Sequence, residues 1–351
     1  MKLPGAGRKR ADSLALFARQ FATMAGSGTP LLRSLTILAR QSKDTSLRAA
    51  ITAVRADIEN GEPLSVAMSH RPDWFGEFVV SMVEAGERAG ALSSVLDRLA
   101  LSTERAAEIR RKVRGALAYP VAISVMIVLT VTAMLVFLVP TFTGIYEDLG
   151  GTLPLPTQII TGISGFLTSN LVLIVLSVLL CLVVFRRWAR TASGRRTVDR
   201  WKLRVPVFGG LVSRSSLARF SRSLAVLVSS EVPIADAMSV AATTAGNVVL
   251  TESVADVVRA VNAGTRISTA MADQPVFSEL VVQMIAVGEE TGSLEELLDR
   301  VAELYDQEVT ATVESLTSAL EPILLMVMGL VVGGILLAVY LPMFGAVDLI
   351  R

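Results

Sequence analysis

One constellation in this chain has residue types and spacing suited to ligand chemistry. Glu87 sits between Gly86 and Gly90 in the run Gly86-Glu87-Arg88-Ala89-Gly90. Glu289 sits between Gly288 and Gly292 in the run Gly288-Glu289-Glu290-Thr291-Gly292, with Glu84 and Glu290 as acidic neighbours of the two sites. A hard cation such as calcium takes about six to eight oxygens, and two or three carboxylates brought from facing subunits would supply part of that shell. The simpler alternative is a solvated helix end, where acids are common. Other chemistry is missing. There is no GxxxxGK[ST] loop, no HExxH, no GxSxG and no paired histidines, and Gly5-Ala6-Gly7 follows no strand. His70, the one histidine, reads as a solvated loop residue beside Arg71-Pro72. Cys181, the one cysteine, lies in an apolar run and has no internal disulfide partner. No residue pattern supports catalysis, so the chain is expected to be no enzyme and to hold no cofactor beyond such a cation.

The two acidic turns belong to a duplication. The stretch from Met82 to Ala100 repeats from Met284 to Ala302, an offset of 202 (284 − 82). The offset holds at Pro120 and Pro322, and again at Pro140 and Pro342. Upstream of His70-Arg71 it becomes 203, as at Pro30 and Pro233, so one residue is gained or lost in a loop. After Gly90 the apolar residues Leu92, Val95, Leu96 and Leu99 follow helical spacing, and after Gly292 Leu294, Leu297, Leu298 and Val301 do the same. No run alternates with period two, and the Pro and Gly signals fall at helix joints. Each copy therefore reads as roughly a hundred residues of antiparallel helices, enough for a core of its own.

Each copy ends in an apolar span. The chain has 351 residues, 52% of them hydrophobic, and a mean hydropathy of +0.57. A membrane crossing needs about 20 mostly apolar residues. Three windows qualify: 116–139, 163–185 and 320–342, giving an all-α polytopic membrane protein with two homologous cytoplasmic helical bundles and three transmembrane helices. Span one follows Arg110-Arg111-Lys112 and Arg114, and span two precedes Arg186-Arg187 and Arg190, whereas the loop between them lacks Lys and Arg as far as Gln158. The excess of basic residues marks the cytoplasmic side. Residues 1–115 and 186–319 are then cytoplasmic, and the loop 140–162 and tail 343–351 external. Glu321 lies at the cytoplasmic start of span three, and no charged residue lies in the interior of any span, which argues against an ion carrier. Gly329 and Gly333 form a small-xxx-small face on span three that allows close helix approach, within the chain or between copies. Charges nearly balance, 33 Lys and Arg against 32 Asp and Glu, which predicts no nucleic-acid partner.

At these residues the chain resembles the inner-membrane platform proteins of type II secretion and type IV pilus machines, the GspF/PilC family. The family pattern GExxGxLxxxLxxxA is met by Gly86, Glu87, Gly90, Leu92, Leu96 and Ala100, and again by Gly288, Glu289, Gly292, Leu294, Leu298 and Ala302. The juncture Val205-Pro206-Val207-Phe208-Gly209 and the last span, with Glu321-Pro322, Gly329, Gly333 and Pro342-Met343-Phe344, are similar to the family's. The resemblance implies a non-enzymatic platform in the inner membrane, whose cytoplasmic domains face a hexameric assembly ATPase. Pilin or pseudopilin subunits, other inner-membrane assembly proteins, membrane lipid and further copies of the chain are the other implied partners. Acidic residues bind metal in some family members, which is the resemblance's contribution to the calcium reading of Glu87. The chain departs from the family at Glu231, where a glycine is usual, leaving room for a looser or differently shaped turn. It departs again at the N-terminus, where many members carry an extra segment and this helix pattern begins by about Asp12. The competing readings are a small oligomeric transporter or channel and a membrane-anchored scaffold.

Overall fold

A computed structural model describes residues 6–148, 155–189, 191–205 and 208–349. Residues 149–154 of the expected external loop, Pro206 and Val207 of the juncture, and the last two residues of the tail lie outside the described residues. All regular structure among the described residues is helical. The first repeat contains α1 (Ala6–Gly26), α2 (Leu31–Gln41), α3 (Thr45–Glu59), α4 (Leu64–Ser69), α5 (Glu77–Arg88) and α6 (Leu92–Ala133). A π-helical turn, Met134–Leu138, leads into α7 (Val139–Asp148) and then α8 (Leu155–Trp188). The second repeat contains α9 (Ala192–Arg204), α10 (Phe208–Val228), α11 (Ile234–Thr244), α12 (Val248–Asn262), α13 (Ile267–Ala272), α14 (Glu279–Thr291) and α15 (Leu294–Leu349).

Equivalent residues start and stop equivalent helices. Asp44 caps α3 by accepting from the Ser46 and Leu47 amides, and Asn247, its counterpart, caps α12 by accepting from Val249. In the turn that closes α1 the Gly28 amide donates to Ala25 and the Thr29 amide to Met24. α10 ends in the same pair of bonds, from Glu231 to Val228 and from Val232 to Leu227. Gly28 has φ +75° and Glu231 φ +61°. The second turn therefore keeps the shape of the first, and a looser or differently shaped turn is not what forms. The bonds of a Schellman end require the left-handed residue whichever side chain it carries.

The chain divides into two compact units, one formed by residues 1–112 and 196–311, the other by residues 113–195 and 312–351. The first unit holds both helical bundles. The first-repeat core is built from Phe17, Phe21, Leu35, Ile51, Phe75 and Leu96, among others. The second-repeat core centres on Phe220, Leu224, Met238, Leu250, Ile285 and Leu298. This second core is not wholly its own: Met82 and Val95 of the first repeat are buried in it. The two bundles are thus fused by side chains that cross the repeat boundary.

In the second unit, α6 and α15 are long and apolar enough to cross a membrane, and α8 makes a third span if its two arms count as one. α8 spans the window 163–185 and is bent by 72° between its arms Thr157–Asn170 and Val172–Trp188. Polar side chains crowd the approach to the bend: Thr168 Oγ1 donates to the Ser164 carbonyl at 2.9 Å and Asn170 Nδ2 to that of Phe166 at 3.0 Å. Such groups compete with the helical ladder and bend it. The prolines explain two further contacts. Pro342 has no N–H, so the Ala338 carbonyl lacks its helical donor, and the Thr157 hydroxyl supplies one at 2.6 Å. Before Pro140 the chain forms the π turn Met134–Leu138, in whose register the Leu135 carbonyl would face the proline. The Ser164 hydroxyl donates to it instead. Hydroxyls on α8 thus satisfy carbonyls that prolines on two other helices leave open, as a hydrocarbon environment demands.

Candidate functional site

The two acidic turns are built alike. α5 ends in a Schellman motif in which the Ala91 amide donates to Gly86 at 2.9 Å and the Gly90 amide to Glu87 at 3.3 Å. Gly90 has φ +64° and Gly292 φ +72°, the left-handed region that glycine enters without a Cβ penalty. Gly86 and Gly288 are needed for a different reason. A Cβ at Gly86 would stand 3.0 Å from Val95 Cβ and 3.2 Å from Leu92 Cα, and one at Gly288 3.1 Å from Leu294 Cα. The missing side chain lets each helix cross close over the start of the next, which Leu92 and Leu294 begin.

Glu87 and Glu289 turn inward from these ends to serve a distant helix. The Glu87 carboxylate accepts the Leu64 amide at 2.6 Å, the Ser65 amide at 3.1 Å and the Ser65 hydroxyl at 2.5 Å. Glu289 accepts the Ile267 amide at 2.6 Å, the Ser268 amide at 3.0 Å and the Ser268 hydroxyl at 2.5 Å. The reason lies at the N-termini of α4 and α13, where Pro63 and Arg266 occupy the capping positions and make no side-chain cap bond. The free amides of each short helix then need an acceptor from elsewhere, and a carboxylate at the positive end of the helix is favoured. Each glutamate is half-buried and engaged on both oxygens. Each carboxylate accepts three hydrogen bonds from the protein, and a cation at the site would have to share or displace them. The three-residue acidic and histidine group among the described residues lies elsewhere, at Asp57, Glu62 and His70; His70 Nδ1 stands 3.4 Å from Asp57 and 3.5 Å from Glu62. The loop histidine therefore does have acidic neighbours.

A second duplicated feature was not legible from local pattern. Arg19 Nε donates to Glu104 at 2.8 Å and its Nη1 to Asp97 at 2.9 Å. Arg222 pairs with Asp306 at the equivalent place in the second repeat. The bond from Arg19 holds the Glu104 carboxyl below its ordinary range, against the opposing effect of burial. The two pairs differ in cover: the Arg19 side chain is 36% exposed and Arg222 7%. Arg222 lies in the wall of a cleft of about 600 Å³ that Arg98 and Arg105 of α6 also line. Arg98 reaches Glu295 at 3.1 Å and Arg105 reaches Asp299 at 3.6 Å, so α6 of the first repeat lies across the second. Offsets of 202 and 203 between the partners' counterparts were the available signal.

The glycines expected to form a helix-packing face behave differently. A Cβ at Gly329 or Gly333 would meet nothing within 4 Å. Among the described residues this face has no close neighbour. Pro120 lies within α6, and α15 runs through Pro322 without a break. Tyr119 and Glu321, each one residue before its proline and equivalent in the duplication, meet through a 3.2 Å hydrogen bond.

Residues 17–140 and 220–342 match the family model described as type II secretion system (T2SS), protein F. The two matches cover both repeats, including both acidic turns and both proline pairs. The chain belongs to this family. It is 34% identical to the type IV pilus assembly protein PilC of Pseudomonas aeruginosa over 98% of its own length and 92% of the relative's. The PilC protein of Thermus thermophilus is 40% identical, over 94% of this chain and 82% of that protein. The type II secretion system protein F of Xanthomonas campestris is 34% identical, over 96% and 84%. Family membership accounts for the duplicated all-helical fold and the apolar helices, and makes this a membrane platform protein of the pilus and secretion class.

Proposed function

We propose that this chain is the inner-membrane platform of a type IV pilus or type II secretion machine, coupling a cytoplasmic assembly ATPase to the insertion of pilin-like subunits. One observation carries the reading: each of two homologous bundles is followed, without a break in helix, by an apolar segment. α6 runs for 42 residues and α15 for 56, about 63 Å and 84 Å at 1.5 Å per residue. The chain carries no phosphate-binding loop, so force has to come from a partner. The bundles supply a folded surface for that partner, and the spans supply apolar faces for an incoming subunit. Met126 and Leu129 on α6, Phe137 in the π turn that follows it, and Leu330 and Leu337 on α15 are well exposed; such faces suit lipid or another apolar helix. The basic residues before span one and after span two support an N-terminus and both bundles in the cytoplasm, with the C-terminus outside. The two acidic turns act as caps that hold α4 and α13 in place, and the cation role is the weaker reading of Glu87 and Glu289.

Photo-crosslinking in the source cells tests the reading. A photoreactive residue at Met126 or Leu330 is expected to capture a pilin-like subunit, and one on the bundle surface an assembly ATPase. Capture of lipid alone at the spans, with no assembly component at any bundle position, would overturn it. A transporter would instead show ion or solute flux in reconstituted vesicles.

A further inference from the structure

The two repeats contact one another one-sidedly, and this leaves two matching faces open. α5 of the first repeat packs on α11 of the second. Met82 of α5 is fully buried there and takes the Ser230 hydroxyl at 3.8 Å. The reciprocal pair, α14 with α2, forms no such packing. By the duplication, Phe78, Met82 and Ala85 of α5 correspond to Leu280, Met284 and Val287 of α14. In the first set Met82 is buried by the second repeat and Phe78 packs against its core, while Ala85 lines the cleft beside them. In the second set Leu280 is 48% and Val287 50% exposed, an apolar stripe at i, i+4, i+7 spacing. The receiving side shows the same contrast. Val240 of α11 is buried, whereas its counterpart Ile37 on α2 is partly exposed and the nearby Leu32 is 37% exposed. Arg222 is covered and its counterpart Arg19 is not.

One charge pair follows the same pattern. Arg88 of α5, which pairs with Glu84 on its own helix, lines one cleft with Glu77, Glu84, Glu231 and Asp236. The counterpart of Arg88 is Glu290, and that of Asp236 is Arg33. At this one pair the signs are exchanged, leaving an acid on the α14 face and a base on the α2 face.

We propose that the α14 face of one copy docks on the α1–α2 face of a second copy, placing Met284 against Ser27 and Glu290 beside Arg33. The contact repeats between chains the one that Met82 and Ser230 make within a chain. It is head-to-tail, each copy using two different faces, so copies close into a ring or extend in a row. The inference rests on the duplication and the exposed faces, and stands or falls separately from the fibre reading.

Cross-linking of the full-length, detergent-solubilised chain with Cys181→Ala tests it. Ser27→Cys and Met284→Cys are purified separately, mixed and treated with a short bismaleimide. A cross-linked dimer is expected in the mixture and in neither variant alone. No dimer in the mixture, or a dimer from Met284→Cys alone, would overturn the head-to-tail contact. A charge exchange provides the second arm, since Arg33 and Glu290 are both exposed and the 3.9 Å contact of Glu290 with Arg266 is an exposed, weak one. Arg33→Glu and Glu290→Arg are each expected to weaken self-association about tenfold by light scattering, and the two combined to restore it. A double variant as weak as the singles would count against the pairing.

Discussion

Replacing Glu87 by alanine should open one short helix and leave its twin untouched. The carboxylate accepts two amides and a hydroxyl at the start of α4, where Pro63 contributes no cap. Losing an N-cap costs about 0.5–2 kcal/mol, and bonds to a charged acceptor are each stronger than neutral ones. Water reaches this half-buried site and offsets part of the loss. We therefore expect about 2–3 kcal/mol of local destabilisation, or about 30- to 150-fold faster opening of the helix. The assay is hydrogen exchange of the full-length chain in detergent, read on peptides covering residues 64–69 and 267–272. Glu87→Ala should deprotect the first peptide and spare the second; Glu289→Ala should do the reverse. Glu87→Gln keeps a neutral acceptor and should lose about half as much. Glu87→Asp is one methylene shorter and should resemble alanine. Unchanged protection of residues 64–69 in Glu87→Ala would refute the capping argument. Protection that rises on adding calcium in the wild type, and not in Glu87→Ala, would return the site to a cation.

Three further outcomes follow from the same geometry. Gly86→Ala places a methyl 3.0 Å from Val95 Cβ and should cost about 1–3 kcal/mol in chemical unfolding by overpacking, whereas Gly329→Ala should be close to neutral because no atom lies within 4 Å. Glu231→Gly removes a left-handed glutamate, φ +61°, and should raise stability by about 0.5–1 kcal/mol, read as an upward shift in the unfolding midpoint. Arg19→Met should matter at neutral pH and cease to matter in acid. The Glu104 carboxyl is lowered in the folded state, so its stabilisation is present above the unfolded value of about 4.3 and is lost as pH falls through the lowered folded one. The pair is exposed enough that the difference should be about 1 kcal/mol, and a gap between wild type and variant that persisted below that window would contradict the assignment.

The parts of this fold readable from sequence are those written in short-range pattern. The apolar spacing at Leu92, Val95, Leu96 and Leu99 names a helix, the charge-free window before Pro140 names a span, and the common offset exposes the repeat. What was illegible depends on residues that meet across long separations. Glu87 caps a helix 22 residues away in sequence from Ser65, and no local motif says that Pro63 leaves that helix uncapped. Met82 and Met284 sit in the same motif, yet one is fully buried and the other only partly, because burial depends on which repeat packs over which. The bend in α8 has no proline to announce it. Thr157 reads as an external-loop residue and Ser164 as an ordinary span residue, and neither announces the carbonyl that a proline leaves open for it.

The most direct test of the platform role is electron microscopy of fibres sheared from wild-type cells, from cells lacking this chain and from the complemented strain, with the exported proteins compared in parallel. The platform role predicts that fibres or exported proteins are lost on deletion and return on complementation. Fibres and export both unchanged in the deletion strain would contradict it.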